Sequence, residues 1–123
     1  MKETPLTSSE VVASDIASIS QRTKQELDLL AGKEILITGG AGFLGYMFVH
    51  FLSQVGDNDG RRPIKLTIYD NFSRGRKPWL SKLATRENIT IVEHDITKPL
   101  PNNSSKFSYI IHAATIASPL YYR

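Results

Sequence analysis

Residues 38–45 read Thr-Gly-Gly-Ala-Gly-Phe-Leu-Gly and stand between two apolar patterns of different period. Upstream, residues 35–38 are a short, nearly continuous apolar run, as in a strand covered on both faces. Downstream, Leu44, Phe48, Phe51, Leu52 and Val55 recur at helical spacing and form a broad apolar face. The glycines between them read either as Gly39, Gly42 and Gly45 or as Gly40, Gly42 and Gly45. Either spacing gives a tight turn, lets backbone approach a ligand closely and packs a helix onto a strand, with the helix N-terminus facing negative charge. Such a turn suits a pyrophosphate, although glycine-rich bends also serve merely to turn the chain.

The following sequence supplies context. Residues 56–63 (Gly-Asp-Asn-Asp-Gly-Arg-Arg-Pro) are a polar surface insertion, and residues 64–69 a second strand that ends on Asp70, 25 positions after Gly45. A carboxylate there accepts hydrogen bonds from adenosine ribose hydroxyls and repels a 2′-phosphate, which favours NAD over NADP. Arg74 and Arg76 argue the other way, since either could pair with a 2′-phosphate. A loop-capping carboxylate is the structural alternative for Asp70. Residues 77–85 are a short helix candidate weakened by Pro78, residues 89–93 a third strand and residues 107–111 a fourth, with residues 99–105 a loop rich in Pro, Asn and Ser. Strands alternating with helices predict an α/β fold: a Rossmann-type parallel sheet, truncated, with strand order 3-2-1-4 over residues 34–123.

Residues 1–33 read differently. Thr7 to Glu10 fits a capping box; Val12, Ile16, Ile19, Leu27 and Leu30 then recur near helical spacing until Gly32. One amphipathic N-terminal helix is expected, packed on the domain or on a neighbouring subunit.

With 123 residues, 41% hydrophobic and 22% charged, the chain has the composition of an ordinary soluble domain, without a run long enough for a membrane span. The first residues lack the apolar core of a secretory signal, so a cytoplasmic location is expected and membrane association is not. The absence of cysteine excludes disulfides, thiol catalysis and thiolate metal sites. A net charge of +3 is carried by short basic groups separated by acidic residues, not by the long basic face that nucleic-acid binding needs. Asp57-Asn58-Asp59-Gly60 has the start of a calcium loop without its remaining ligands, and no metal is expected. Asp95, after the third strand, could meet an adenine amine or cap a turn with Thr97. His50, His94 and His112 have no evident catalytic partner and read as structural.

Taken in order, residues 35–45 (ILITGGAGFLG), 69–77 (YDNFSRGRK), 94–100 (HDITKPL) and 112–122 (HAATIASPLYY) resemble the extended short-chain dehydrogenase/reductase family, the NAD-dependent epimerases and dehydratases of nucleotide sugars. The last three are most similar to its UDP-glucuronate decarboxylase branch. The resemblance implies that Gly39, Gly42, Phe43, Leu44 and Gly45 lie at the pyrophosphate, and that Asp70 and Asn71 hold the ribose. It implies Ser73, Arg74 and Gly75 on the adenosine side, Asp95 and Ile96 at the adenine, and Ala113, Ala114 and Thr115 along the cofactor. Leu100, Pro101 and Ser118 would approach the nucleotide sugar. Two positions depart from the branch: Thr115-Ile116 replaces a small residue and Pro, and Tyr46 stands where Ser is common.

Family catalysis resembles a Tyr-x-x-x-Lys helix whose tyrosinate takes a hydroxyl proton as hydride moves to NAD. None of the five tyrosines here is followed by Lys four positions on, so no catalytic residue is assigned. The resemblance implies the front part of an enzyme that oxidises C4 of a nucleotide sugar and then decarboxylates it, or dehydrates or epimerises it; a non-catalytic NAD-binding fragment is the alternative. A homodimer is expected of the full-length enzyme. Incubated with NAD and UDP-glucuronate, the 123-residue chain alone is expected to release no CO2 above background; turnover would overturn the assignment of chemistry to residues outside it.

Overall fold

The computed structural model describes residues 5–101 and 106–115. They fall into two compact units, one ending at Leu30 and the other beginning at Ala31.

The first unit holds two helices, α1 (Ser8–Arg22) and α2 (Lys24–Leu30), where the hydrophobic period predicts one. The capping box is present: Thr7 Oγ1 accepts the Glu10 N–H at 3.3 Å, and Glu10 Oε2 accepts the Thr7 N–H at 2.7 Å. Such a cap stabilises a helix by about 1 kcal/mol. The interruption falls at Thr23, whose hydroxyl donates to the Ile19 carbonyl at 2.8 Å. That side-chain bond competes for the carbonyl that an uninterrupted helix would offer to the next turn. Ile16 and Leu27 are the buried residues of the pair.

The second unit is a four-stranded parallel sheet in the order β3-β2-β1-β4, as the alternation of patterns predicts. Its strands are β1 (Glu34–Thr38), β2 (Lys65–Asp70), β3 (Ile89–Glu93) and β4 (Tyr109–His112). Helix α3 (Phe43–Ser53) connects β1 to β2, and α4 (Pro78–Leu83) connects β2 to β3. Pro78 does not weaken α4. It occupies the first turn, where a missing N–H is no loss and the fixed φ is already helical.

The core forms around the apolar run of β1. Ile35, Leu36, Ile37 and Thr38 of β1 are all buried, as befits a central strand covered on both faces. They pack in a core with Ile64, Leu66 and Ile68 from the β2 region, Val49, Leu52 and Val55 from the α3 region, and Leu80. Each such side chain contributes about 1.5–3 kcal/mol when fully buried. The insertion at residues 56–63 folds on itself: Asp59 Oδ1 accepts the N–H groups of Gly56 and Arg61, and Asp57 pairs with Arg86 after α4. Both carboxylates of the calcium-like stretch therefore face arginines, and no cluster suited to a metal occurs among the described residues. Among those residues no helix is long and apolar enough to cross a membrane.

One histidine is placed to make this fold sensitive to acid. The His50 ring sits 4.2 Å from that of Tyr46 and 5.1 Å from that of Trp79, and its Nε2 is buried without a partner. Burial holds its pKa below the ordinary value. The unfolded chain therefore takes up the proton first: the contribution to stability is complete above about pH 6.5 and declines as pH falls below that value. The urea midpoint is expected to drop between about pH 7.5 and about pH 5.5. His50→Phe should flatten that dependence, and an unchanged slope would count against the assignment.

Candidate functional site

All four strands end at one edge of the sheet. Register sets Thr38 opposite Tyr69 and His112, and Asp70 opposite Glu93. In an open parallel sheet, ligands are held at this edge where the strand order reverses, here between β1 and β4. The segment after β4 lies against the turn that leaves β1. A Cβ on Gly39 would stand 2.6 Å from the Ala114 backbone, and Gly39 has a φ of 74°, which favours glycine. Thr38 Oγ1 and His112 Nδ1 share a hydrogen bond of 2.6 Å, and the Ala113 N–H donates to the Thr38 carbonyl at 2.9 Å. His112 thus ties two strand ends together.

The glycines of residues 39–45 separate by what crowds them. A Cβ on Gly40 would meet Ile68 at 2.5 Å, and one on Gly45 the Gly39 carbonyl at 2.4 Å, so both permit the close packing of α3 on the sheet. Gly42 differs. Its φ of −80° and ψ of −177° suit any residue, and an added Cβ would have one neighbour, the Gly39 carbonyl at 3.3 Å. Neither backbone conformation nor hard packing makes glycine obligatory there, whereas a ligand drawn close to the backbone would.

The hydrogen bonds sort the amides in the same way. The Ala41 N–H donates to Asp70 Oδ2 at 3.0 Å, that of Gly42 to the Gly39 carbonyl at 3.1 Å, and that of Tyr46 to the Gly42 carbonyl at 3.0 Å. Among the described residues the N–H groups of Phe43, Leu44 and Gly45 have no acceptor. Gly42, the N-cap, supplies no side chain to cap them. Three unpaired donors therefore stand at the positive end of an 11-residue helix, an arrangement that favours an anion. The Phe43 side chain is 92% exposed and that of Leu44 66%, so neither contributes to the core.

The loop after β2 is held by its own side chains. Asp70 Oδ1 accepts the Phe72 N–H at 2.8 Å, Asn71 Oδ1 accepts that of Ser73 at 3.0 Å, and the Gly75 N–H returns to the Phe72 carbonyl at 2.8 Å. Phe72 has a φ of 53°, uncommon for a non-glycine residue, with the Arg76 guanidinium 5.3 Å from its ring centre. A cleft of about 560 Å³ brings Arg74, Lys77 and Trp79 alongside Gly42, Phe43 and Leu44. Neither Arg74 nor Lys77 makes an ion pair among the described residues. Lys77, Trp79 and the Ala41 amide were missed in the sequence. Lys77 alone left a signal there, as the last cation of the Arg74 to Lys77 group.

The remaining positions are less tightly joined. After β3, Asp95 Oδ1 accepts the Thr97 N–H at 2.9 Å and its hydroxyl at 2.7 Å, and these bonds hold the carboxyl below its usual range. Asp95 thus caps a turn with Thr97, and the exposed Ile96 lies between them. Asp95, Ile96, Leu100 and Pro101 do not line the cleft. Ala113, Ala114 and Thr115 follow β4 at the same sheet edge, and Ser118 lies outside the described residues.

Fold and site together define an α/β Rossmann-like unit whose glycine turn and strand ends lie at one edge of the sheet. No protein-family model matches the chain. It is 35% identical over 89 residues to UDP-glucuronic acid decarboxylase 6 of Arabidopsis thaliana, a match over 72% of this chain and 23% of the relative. It is 37% identical over 87 residues to UDP-glucuronic acid decarboxylase 1 of Danio rerio and of Xenopus tropicalis, in each case over 71% of this chain and 18% of the relative. The chain is therefore a partial match to the UDP-glucuronic acid decarboxylases, and spans about a fifth of the length of the curated relatives it matches.

Two glycine substitutions separate fold from binding. Gly45→Ala places a Cβ where a carbonyl already stands and is expected to destabilise by about 1–3 kcal/mol, read from urea melts. Gly42→Ala, whose Cβ would stand 3.3 Å from the Gly39 carbonyl, should cost less stability than Gly45→Ala while placing a methyl in the space before the helix. Equal destabilisation by both would remove the case for a ligand-facing Gly42.

Proposed function

We propose that the chain is the NAD-binding part of a nucleotide-sugar enzyme of the UDP-glucuronate decarboxylase type. The observation that carries this reading is the set of unpaired N–H groups at Phe43, Leu44 and Gly45, behind a glycine that its own backbone angles do not require. Those donors would hold the pyrophosphate. Asp70 has a lone pair left on each oxygen after its bonds to Ala41 and Phe72, and these can accept ribose hydroxyls. Ser73, Arg74 and Gly75 would border the adenosine, Asp95 and Ile96 the adenine, and Ala113 to Thr115 the far side beyond Gly39.

Bound NAD would supply a hydride acceptor for C4 of the sugar, and a ketone there allows a neighbouring carboxylate to leave as CO2 through an enolate. The residues of this chain bind and orient; the proton transfers are assigned to no residue in it. Leu100, Pro101 and Ser118 are proposed to approach the sugar nucleotide, and a homodimer is proposed for the full-length enzyme. The partial match to UDP-glucuronic acid decarboxylases favours decarboxylation over dehydration or epimerisation. A second reading, a cofactor with a 2′-phosphate, is favoured by one observation: Arg74 and Lys77 line the cleft without a carboxylate beside them.

Titration of the 15N-labelled 123-residue chain tests both. NAD is expected to shift the amides of Phe43, Leu44, Asn71 and Ser73 at lower concentration than NADP does. Tighter binding of NADP would transfer the assignment to the second reading, and no response to either would overturn both.

A further inference from the structure

The Asp70 carboxylate does something that a ribose acceptor need not do. Its Oδ2 accepts the N–H of Ala41, 29 residues away inside the glycine turn, while its Oδ1 accepts that of Phe72. One side chain thus joins the loop after β1 to the loop after β2, and on the second it also supports a left-handed φ at Phe72. The turn has few other restraints of this kind. Between Gly39 and the first helical residue its internal hydrogen bond is the one from the Gly42 N–H to the Gly39 carbonyl. Two bonds reach outside it, from the Gly39 N–H to the Tyr69 carbonyl at 2.7 Å and from the Ala41 N–H to Asp70, and of these the one to the carboxylate belongs to the stronger class.

We propose that Asp70 is a positioning residue, a latch that sets the glycine turn so that the N–H groups of Phe43 and Leu44 face a diphosphate whether or not a ribose is attached. The ligand in this statement rests on the nucleotide reading above; the latch itself is a property of the free chain. The two roles of Asp70 differ in sign. As a ribose acceptor alone, Asp70 gives nothing to a ligand without ribose. Through its charge alone it repels such an anion, so its removal would leave binding unchanged or strengthen it. As a latch, its removal weakens binding.

The 15N-labelled 123-residue chain, with inorganic pyrophosphate and NAD as probes, separates these outcomes in wild type, Asp70→Ala and Asp70→Asn. Asp70→Ala is expected to lower pyrophosphate affinity about tenfold, read from the Phe43 and Leu44 amides, and to speed exchange of the Ala41 amide by about the same factor. Asp70→Asn, whose amide oxygen can still accept one N–H, should recover part of both. Unchanged or tighter pyrophosphate binding in Asp70→Ala, or unchanged Ala41 exchange, would overturn the latch. Should Asp70→Ala fail to fold, the wild-type chain still decides the matter. Its Ala41 amide must exchange more slowly than those of Phe43 and Leu44, which have no acceptor; equal exchange in the wild type refutes the proposal. Wild type that answers to neither probe would overturn the nucleotide reading instead, and the Ala41 measurements then judge the latch alone.

Discussion

The close approach of backbone to backbone where β1 ends is the constraint on which the other features depend. Gly39 leaves the strand with a positive φ and touches Ala114; Gly45 lies under the Gly39 carbonyl; Gly40 meets the Ile68 side chain. With Cβ atoms at these three positions, α3 could not start where it does, and the segment after β4 could not cross the end of β1. Packing density in a protein interior leaves no slack for such atoms. The place where α3 begins in turn determines where its positive end lies, so the anion-favouring edge is a consequence of sterics before it is a matter of charge.

Charge then acts on what sterics leaves open. Of the amides around the turn, those of Ala41 and Gly42 are satisfied within the chain and those of Phe43, Leu44 and Gly45 are not. A helix start is commonly capped by a Ser, Thr, Asp or Asn side chain, as Thr7 caps α1. At α3 the cap is Gly42, with no side chain to offer. The two starts differ: α1 is given a side-chain oxygen, whereas α3, like α4 with Lys77 at its N-cap, is given none. Cations at Arg74 and Lys77 add to the same field, while Asp70 opposes it from a position already engaged by two N–H groups.

Much of this is legible in the sequence because period and composition agree. Residues 35–37 are a continuous apolar run, apolar residues alternate with Lys65 and Thr67 over 64–69, α3 has a clear helical face, and the glycine turn stands after the first strand, so the sheet and its 3-2-1-4 order follow from pattern and connection length. β4 starts two residues later and ends one residue later than the run at 107–111, since strand extent depends on pairing with β1 and not on hydrophobicity alone. The break at Thr23 and the accommodation of Pro78 turn on single hydrogen bonds and on position within a helical turn, which a periodicity average cannot register. Site contacts that depend on tertiary approach are invisible at the level of sequence: the Asp70 carboxylate reaching Ala41, Trp79 beside Tyr46, and Thr38 bonded to His112.

The glycine motif itself is a weaker functional signal than its familiarity suggests. Gly39, Gly40 and Gly45 are demanded by the fold, because each would collide with this chain's own atoms if it carried a Cβ. A protein with this sheet and no ligand would need all three. Discrimination rests on features the fold does not require: a Gly42 with ordinary backbone angles and no hard clash, first-turn amides without acceptors, and a carboxylate on the neighbouring strand with lone pairs still available. Each could have been otherwise without disturbing β1 or α3. Their coincidence at one edge, rather than the count of glycines, is what distinguishes a site shaped for a diphosphate from a bend that merely turns the chain.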